Sequence, residues 1–187
     1  MPKTHPDKRT RLIDTAVKLA YRNGFRETSL ADIAAAARVP VGNVYYYFKT
    51  KDELGEAVIE WRLNEFRALR VHLEQLGSPR ERLLGFVGGI QAGSEQLAHG
   101  GCPLGGLCTE LRRQGGALAK KAAALYTEPM SWFEEQFRAA GHGQKSRELA
   151  VHLFCAFEGI AAVAHGANDP DIAVMEARWL KDWLSTL

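Results

Sequence analysis

The sequence predicts an all-α protein on three observations. Apolar residues recur at i, i+3, i+4 along most of the 187 residues, and no stretch alternates with the period of a strand. Proline and glycine punctuate the chain where helices would end. Residues able to cap helices stand just ahead of several of the periodic runs.

Taken in order, a first helix is expected over 7–23, with Leu12, Ile13, Ala16, Val17, Leu19 and Ala20 on its inner side and Gly24 just past its end. Ser29 caps a short second helix reaching Ala37, with Asp32 as the partner in an approximate capping box. A tight turn at Arg38 and Val39 leads through Pro40 into a third short helix over 41–47. Thr50 and Glu53 form another box and open a long fourth helix ending near Gly77. Further helices are expected over 79–98, 103–114, 117–140, 144–164 and 171–187, with Pro129 kinking or splitting the third of these. The glycine-rich GGCPLGGL, residues 100–107, lacks the GK[ST] ending of a phosphate-binding loop and reads as a helix junction.

Nearly half the residues are apolar, enough for a substantial core in one ordinary domain or a small domain joined to a larger one. No uninterrupted apolar run reaches the roughly 18 residues of a membrane span. The start, MPKTHPDKR, lacks the apolar segment of a signal peptide, so a cytoplasmic protein is expected. Cys102, Cys108 and Cys155 are an odd set without a CxxC pair, which argues against a disulfide framework. The net charge of +2 is unevenly spread: residues 1–51 carry ten Lys or Arg against four acidic residues, and residues 52–187 carry fourteen against eighteen. A basic head on an acidic body suits a polyanionic partner for the head.

The helices at 29–37 and 41–47, joined by a tight turn, form a helix-turn-helix candidate, whose second helix would lie in the major groove of DNA. Val44 and Phe48 are four residues apart and share an inner face. Tyr45 and Tyr47 are expected to face outward, where a phenol can donate to a phosphate, with Tyr46 shared between core and surface. Gly42 permits close approach, Asn43 can read a base edge, and Lys49 and Lys51 suit phosphates.

The stretch RLIDTAVKLAYRNGFRETSLADIAAAARVPVGNVYYYFKTKDEL resembles the TetR family of transcriptional regulators. It follows the family pattern of a first helix, then G-F/Y-x-x-T-S/T, I-A, a small residue-x-V, G-x-x-Y-x-Y/H-F and K-x-x-L, over roughly residues 9–58. The resemblance implies that Val41, Gly42 and Asn43 face bases, that Tyr45, Tyr47 and Lys51 hold the DNA backbone, and that Ser29 meets a phosphate. Two positions depart from the pattern: Arg38 stands where the family usually has Gly, and Ala31 where some members carry a base-reading polar residue.

The resemblance also implies a DNA-binding domain over 1–51 and a larger helical effector-binding and dimerisation domain over 52–187. The implied mode of action is a ligand-released repressor binding a palindromic operator as a homodimer. The last two helices, about 144–164 and 171–187, would pair with a second subunit. The implied effector pocket draws on Trp61, Phe86, Ile90, Leu107 and Cys108, and on Tyr126, Met130, Phe133, Phe154 and Glu158. Glu158, a carboxylate within an apolar helix, needs a partner, either a cationic or hydroxylated ligand or a group across the dimer.

Cys102, directly before Pro103, falls at a helix N-cap, where a thiolate is favoured; a sensing thiol there is weighed against an inert one. No catalytic motif is found, and no cofactor and no metal site is expected. His99 with Cys102 and His152 with Cys155 each supply two potential metal ligands, but no set of four. The alternatives are a metal- or thiol-sensing regulator of the same fold, or a small helical enzyme.

Overall fold

The computed structural model describes residues 7–187. The first six residues of the basic segment lie outside that range. The described residues form eleven α-helices and no strand. In chain order these are α1 (Lys8–Asn23), α2 (Leu30–Ala37), α3 (Val41–Tyr47), α4 (Lys51–Leu73), α5 (Pro79–Ala92), α6 (Ser94–Gly100), α7 (Pro103–Gln114), α8 (Gly116–Ala122), α9 (Ala124–Ala139), α10 (Ser146–Ala167) and α11 (Pro170–Thr186). A short 3-10 turn, Gly143–Lys145, precedes α10.

Local chemistry sets many of the ends. The Asp7 side chain accepts from the Thr10 N–H and starts α1. Ser29 and Asp32 complete a reciprocal box at α2, as Ser78 and Glu81 do at α5, and Asp169 caps α11 ahead of Pro170. At α4, the Thr50 hydroxyl accepts from the Glu53 N–H at 3.1 Å while the Glu53 carboxylate accepts from the Lys49 N–H at 2.7 Å.

Two expected helices are divided. The span 79–98 breaks at Gly93, where a glycine followed by serine ends α5 and α6 begins. The span 117–140 breaks at Ala123, and Pro129 is accommodated inside α9. With α9 starting at Ala124, the carbonyl four residues before the proline is that of Leu125, in the helix's first turn. The segment Gly143–Ala167, containing α10, has an 18-residue window of mean hydropathy 1.5, long and apolar enough by length and composition to cross a membrane. In the fold α10 packs on α6 and α11 and carries Glu158.

The chain forms two compact units that are not consecutive in sequence. One comprises residues 1–64 and 106–124, the other 65–105 and 125–187. In the first, α1, α2 and α3 pack on one another over Leu12, Ile13, Ala16, Val17, Ile33, Val44 and Phe48. Gly55 on α4 belongs there too: a Cβ would lie 2.7 Å from Leu118 and 2.9 Å from Phe25, so only glycine lets these side chains close on α4. In the second, a core of Phe66, Phe86, Trp132, Phe133, Phe137 and Phe154 is surrounded by aliphatic residues of α5, α10 and α11.

Candidate nucleic-acid interface

Seven residues of α3 follow a three-residue connection, Arg38, Val39 and Pro40. The turn requires Arg38 at φ 53°, ψ 46°, a left-handed conformation usually left to glycine. Its N–H donates back to the carbonyls of Ala34 and Ala35, closing α2, and its own carbonyl accepts from the Arg11 guanidinium at 3.3 Å. Val39 is buried and Pro40 starts α3 with no side-chain cap.

Val44 and Phe48 are buried, as their spacing requires, and the Arg9 guanidinium sits 5.3 Å over the Phe48 ring. Val41 is 45 % exposed, Gly42 is open with nothing near a built Cβ, and Asn43 is half-buried. The tyrosines divide differently from the expectation. Tyr46 is the most exposed at 73 %, Tyr45 is 50 % exposed, and Tyr47 is half-buried with its ring edge-on to Tyr46 at 5.0 Å. The physical reason is the helical step of about 100°: Tyr46 lies two steps, roughly 200°, from buried Val44, and Tyr47 three steps, which returns it toward the core side.

The basic residues also divide. Lys49 is exposed. The Lys51 ammonium donates to the Arg26 carbonyl at 2.6 Å and lies 5.1 Å over the Phe25 ring, so it is already engaged within the unit. Ser29 is exposed, but its hydroxyl donates to Asp32 at 2.5 Å and accepts from the Asp32 N–H at 3.1 Å. The Ser29 hydroxyl, with the Ser29 N–H donating at 2.9 Å, holds the Asp32 carboxyl below its ordinary range. The Ser29 hydroxyl is thus engaged in the cap of α2.

The second unit holds a different constellation. Phe86, Ile90, Phe133 and Phe154 share its core, and Tyr126 and Met130 pack against it. Tyr126 meets Phe154 edge-on at 5.0 Å and donates its hydroxyl to Glu158 Oε2 at 3.2 Å. Glu158 Oε1 is buried without a hydrogen-bond partner. Burial raises the Glu158 carboxyl above its ordinary value, against the opposing pull of hydrogen bonds from Cys102 and Tyr126. A Cβ on Gly105 would collide with this carboxylate, 2.8 Å from its Cδ, so glycine makes the room that Glu158 occupies. Trp61, Leu107 and Cys108 belong to the first unit, where the Trp61 indole N–H donates to Asp14 at 3.0 Å.

For Cys102 the expectation of a stabilised thiolate is reversed. The side chain is 6 % exposed, and burial, with the Glu158 carboxylate beside it, pushes the thiol far above its usual range. The Gly105 N–H, donating to its sulfur at 3.3 Å, opposes this only weakly. Among the described residues the cysteines form no disulfide, and no group of three or more His, Cys, Asp or Glu could hold a metal ion. The His152 ring packs on Trp183 at 4.8 Å, and His99 faces Glu95 one turn away.

Residues 12–58 match the family described as bacterial regulatory proteins, tetR family. The HTH-type transcriptional repressor NemR of Escherichia coli K12 is 31 % identical over 85 residues, which are 44 % of this chain and 43 % of that protein. The chain thus spans less than half the length of that curated relative. The crystal structure of reduced E. coli NemR superposes with a TM-score of 0.79, at 18 % identity over 94 % of this chain and 96 % of that one. A TetR transcriptional regulator from Legionella pneumophila superposes with a TM-score of 0.85, at 19 % identity over 96 % and 98 %. Residues 12–58 thus match the tetR family of bacterial regulatory proteins in sequence, and the fold is shared with TetR-family structures over nearly the whole length.

Proposed function

We propose that the protein is a cytoplasmic transcriptional repressor that binds a palindromic duplex as a homodimer and is released by a small molecule held in its helical second unit. The observation that carries the DNA-binding part is the outer face of α3. Val41, Gly42, Tyr45 and Tyr46 are presented to solvent, with Lys49 beside them and Val44 and Phe48 fixing the helix from behind. A valine and two phenols left exposed on a helix of seven residues have no packing role there, but suit base edges and phosphates. Tyr47 and Lys51 lie at the margin of that face, and Ser29 contributes through the start of α2.

The dimer reading is supported by α10 and α11. Cys155, Gly159, Ala162 and Val163 of α10 and Met175 and Trp179 of α11 are exposed, with Trp179 at 66 %. Small residues at helical spacing beside a bare indole suit a second copy of the same pair. The effector reading is supported by the aromatic core around Glu158.

Selection from random duplexes by purified protein, with light scattering on the same sample, tests this. A dimer enriching one inverted repeat is expected, its half-sites about one helical turn, roughly 34–36 Å, apart. A monomer that enriches nothing would refute it.

A further inference from the structure

We propose that Glu110 is a positioning residue for DNA binding: it fixes the loop from which the helix-turn-helix hangs, and operator affinity depends on it although it touches no DNA. The inference rests on the DNA-binding function proposed above.

After α1, Gly24 takes φ 86°, and the chain turns so that two successive amides point the same way. The Phe25 N–H donates to Glu110 Oε2 at 2.8 Å and the Arg26 N–H to Glu110 Oε1 at 2.5 Å. A built Cβ at Gly24 lies 3.5 Å from both oxygens, so the carboxylate sits flush against the turn. The next peptide group is also taken, since the Arg26 carbonyl accepts from Lys51 of α4. Arg26 is therefore gripped at its N–H by α7 and at its C=O by α4. Both bonds are charge-assisted, the stronger kind. Two residues on, the Thr28 hydroxyl donates to the Gly24 carbonyl at 2.8 Å, and Ser29 then caps α2.

The loop thus has little freedom, and it decides where α2 begins. Since α3 follows α2 after only three residues, the direction of Val41, Gly42 and Asn43 is inherited from it. Glu110 and the residues it holds lie in one compact unit, 84 and 85 positions apart in sequence.

Charge alone predicts the opposite outcome of removing Glu110. A carboxylate in a head that meets a polyanion opposes binding, so neutralising it would tighten the complex. A positioning role predicts weaker binding. The experiment compares Glu110→Gln with Glu27→Gln, which removes an exposed acid from the same loop that pairs with the Arg26 side chain at 3.8 Å and makes no bond to the clamped backbone. Dissociation constants for the duplex selected by the wild type would be measured together with circular dichroism and amide exchange at Phe25 and Arg26. Expected for Glu110→Gln is an intact helical spectrum, faster exchange at both amides and about tenfold weaker binding. Expected for Glu27→Gln is binding equal to or tighter than wild type. Should Glu110→Gln fail to fold, Glu110→Asp keeps the charge, shortens the reach by one methylene, and is expected to show the same loss. A folded variant that binds as tightly as wild type or tighter overturns the inference while leaving the functional reading intact. A wild type that selects no duplex overturns both.

Discussion

In the first unit the segments that face outward are held from behind by polar grips on the backbone. Glu110 and Lys51 take the two peptide groups on either side of Arg26, and Ser29 and Asp32 cap one another; between side chains, Asp14 takes the Trp61 indole. In the second unit ring packing dominates, with Phe86 on Phe133 at 4.7 Å and Phe66 on Trp132 at 6.2 Å, and a carboxyl group is kept inside. Hydrogen bonds to backbone are directional and fix where a helix points. Apolar contact is roughly proportional to area and tolerates rearrangement so long as volume is conserved. On the function proposed above, the first unit presents one face to a rigid polymer and the second accommodates a small molecule, tasks that call for these two kinds of cohesion respectively.

The largest expected effect lies in the second unit. Phe133 is fully buried and touches Phe86, Trp132 and Phe154. Phe133→Ala should cost about 3–5 kcal/mol of stability, read by urea denaturation. Loss of less than about 1 kcal/mol would mean that the ring cluster does not hold the unit together.

The next is a pH effect from Glu158. In the folded chain its carboxyl keeps its proton above the ordinary value of 4.5. Folded molecules therefore hold more protons than unfolded ones across that window, and stability must decline as pH rises. The contribution is complete below 4.5 and is lost as pH rises through the folded value. Glu158→Gln should flatten the decline and leave the protein more stable at neutral pH. An unchanged pH profile in the variant would show that Glu158 is not the buried group responsible.

The two units also differ in how far the sequence reveals them. The head is legible because its signals are local: Ser29 and Asp32 three apart, Val44 and Phe48 four apart, Gly24 next to the helix it ends. Its most exposed phenol, Tyr46, was reachable by the same arithmetic. Glu110 was not. In CTELRR it reads as one more solvated charge, and its partners lie more than eighty positions upstream. The meeting of Cys102, Gly105, Tyr126 and Glu158 is hidden in the same way. A cysteine before a proline signals a helix start, but not that a carboxylate from α10 will arrive beside it and raise the thiol. The breaks at Gly93 and Ala123 carry weak local signals, since a single glycine or a proline six residues away fits a continuous helix almost as well.

Arg38 offers a smaller effect of the opposite sign. Its left-handed backbone costs a residue with a Cβ about 1–2 kcal/mol, which glycine avoids at some cost in unfolded-state entropy. Arg38→Gly should therefore stabilise the head by about 0.5–1 kcal/mol, seen as a higher midpoint of denaturation. A loss of stability would show that the Arg38 side chain itself braces the turn.

The smallest effects on stability belong to the tyrosines of α3, and they test the outward face most directly. Tyr46→Phe removes a hydroxyl from a side chain that solvent already surrounds, so stability should stay within about 0.5 kcal/mol of wild type. The same holds for Tyr45→Phe. If either hydroxyl donates to a phosphate, its removal should weaken duplex binding by about 0.5–1.5 kcal/mol at fixed salt. Tyr47, half-buried and edge-on to Tyr46, gives a mixed response, with part of any loss appearing in the denaturation midpoint. Binding and denaturation measured on all three variants would rank the hydroxyls. An affinity loss confined to Tyr47→Phe, with Tyr45→Phe and Tyr46→Phe silent, would place the DNA on the flank of α3 beside Phe48 instead of along its most exposed line. The polar grip at Arg26 would then be orienting a different face of the same helix.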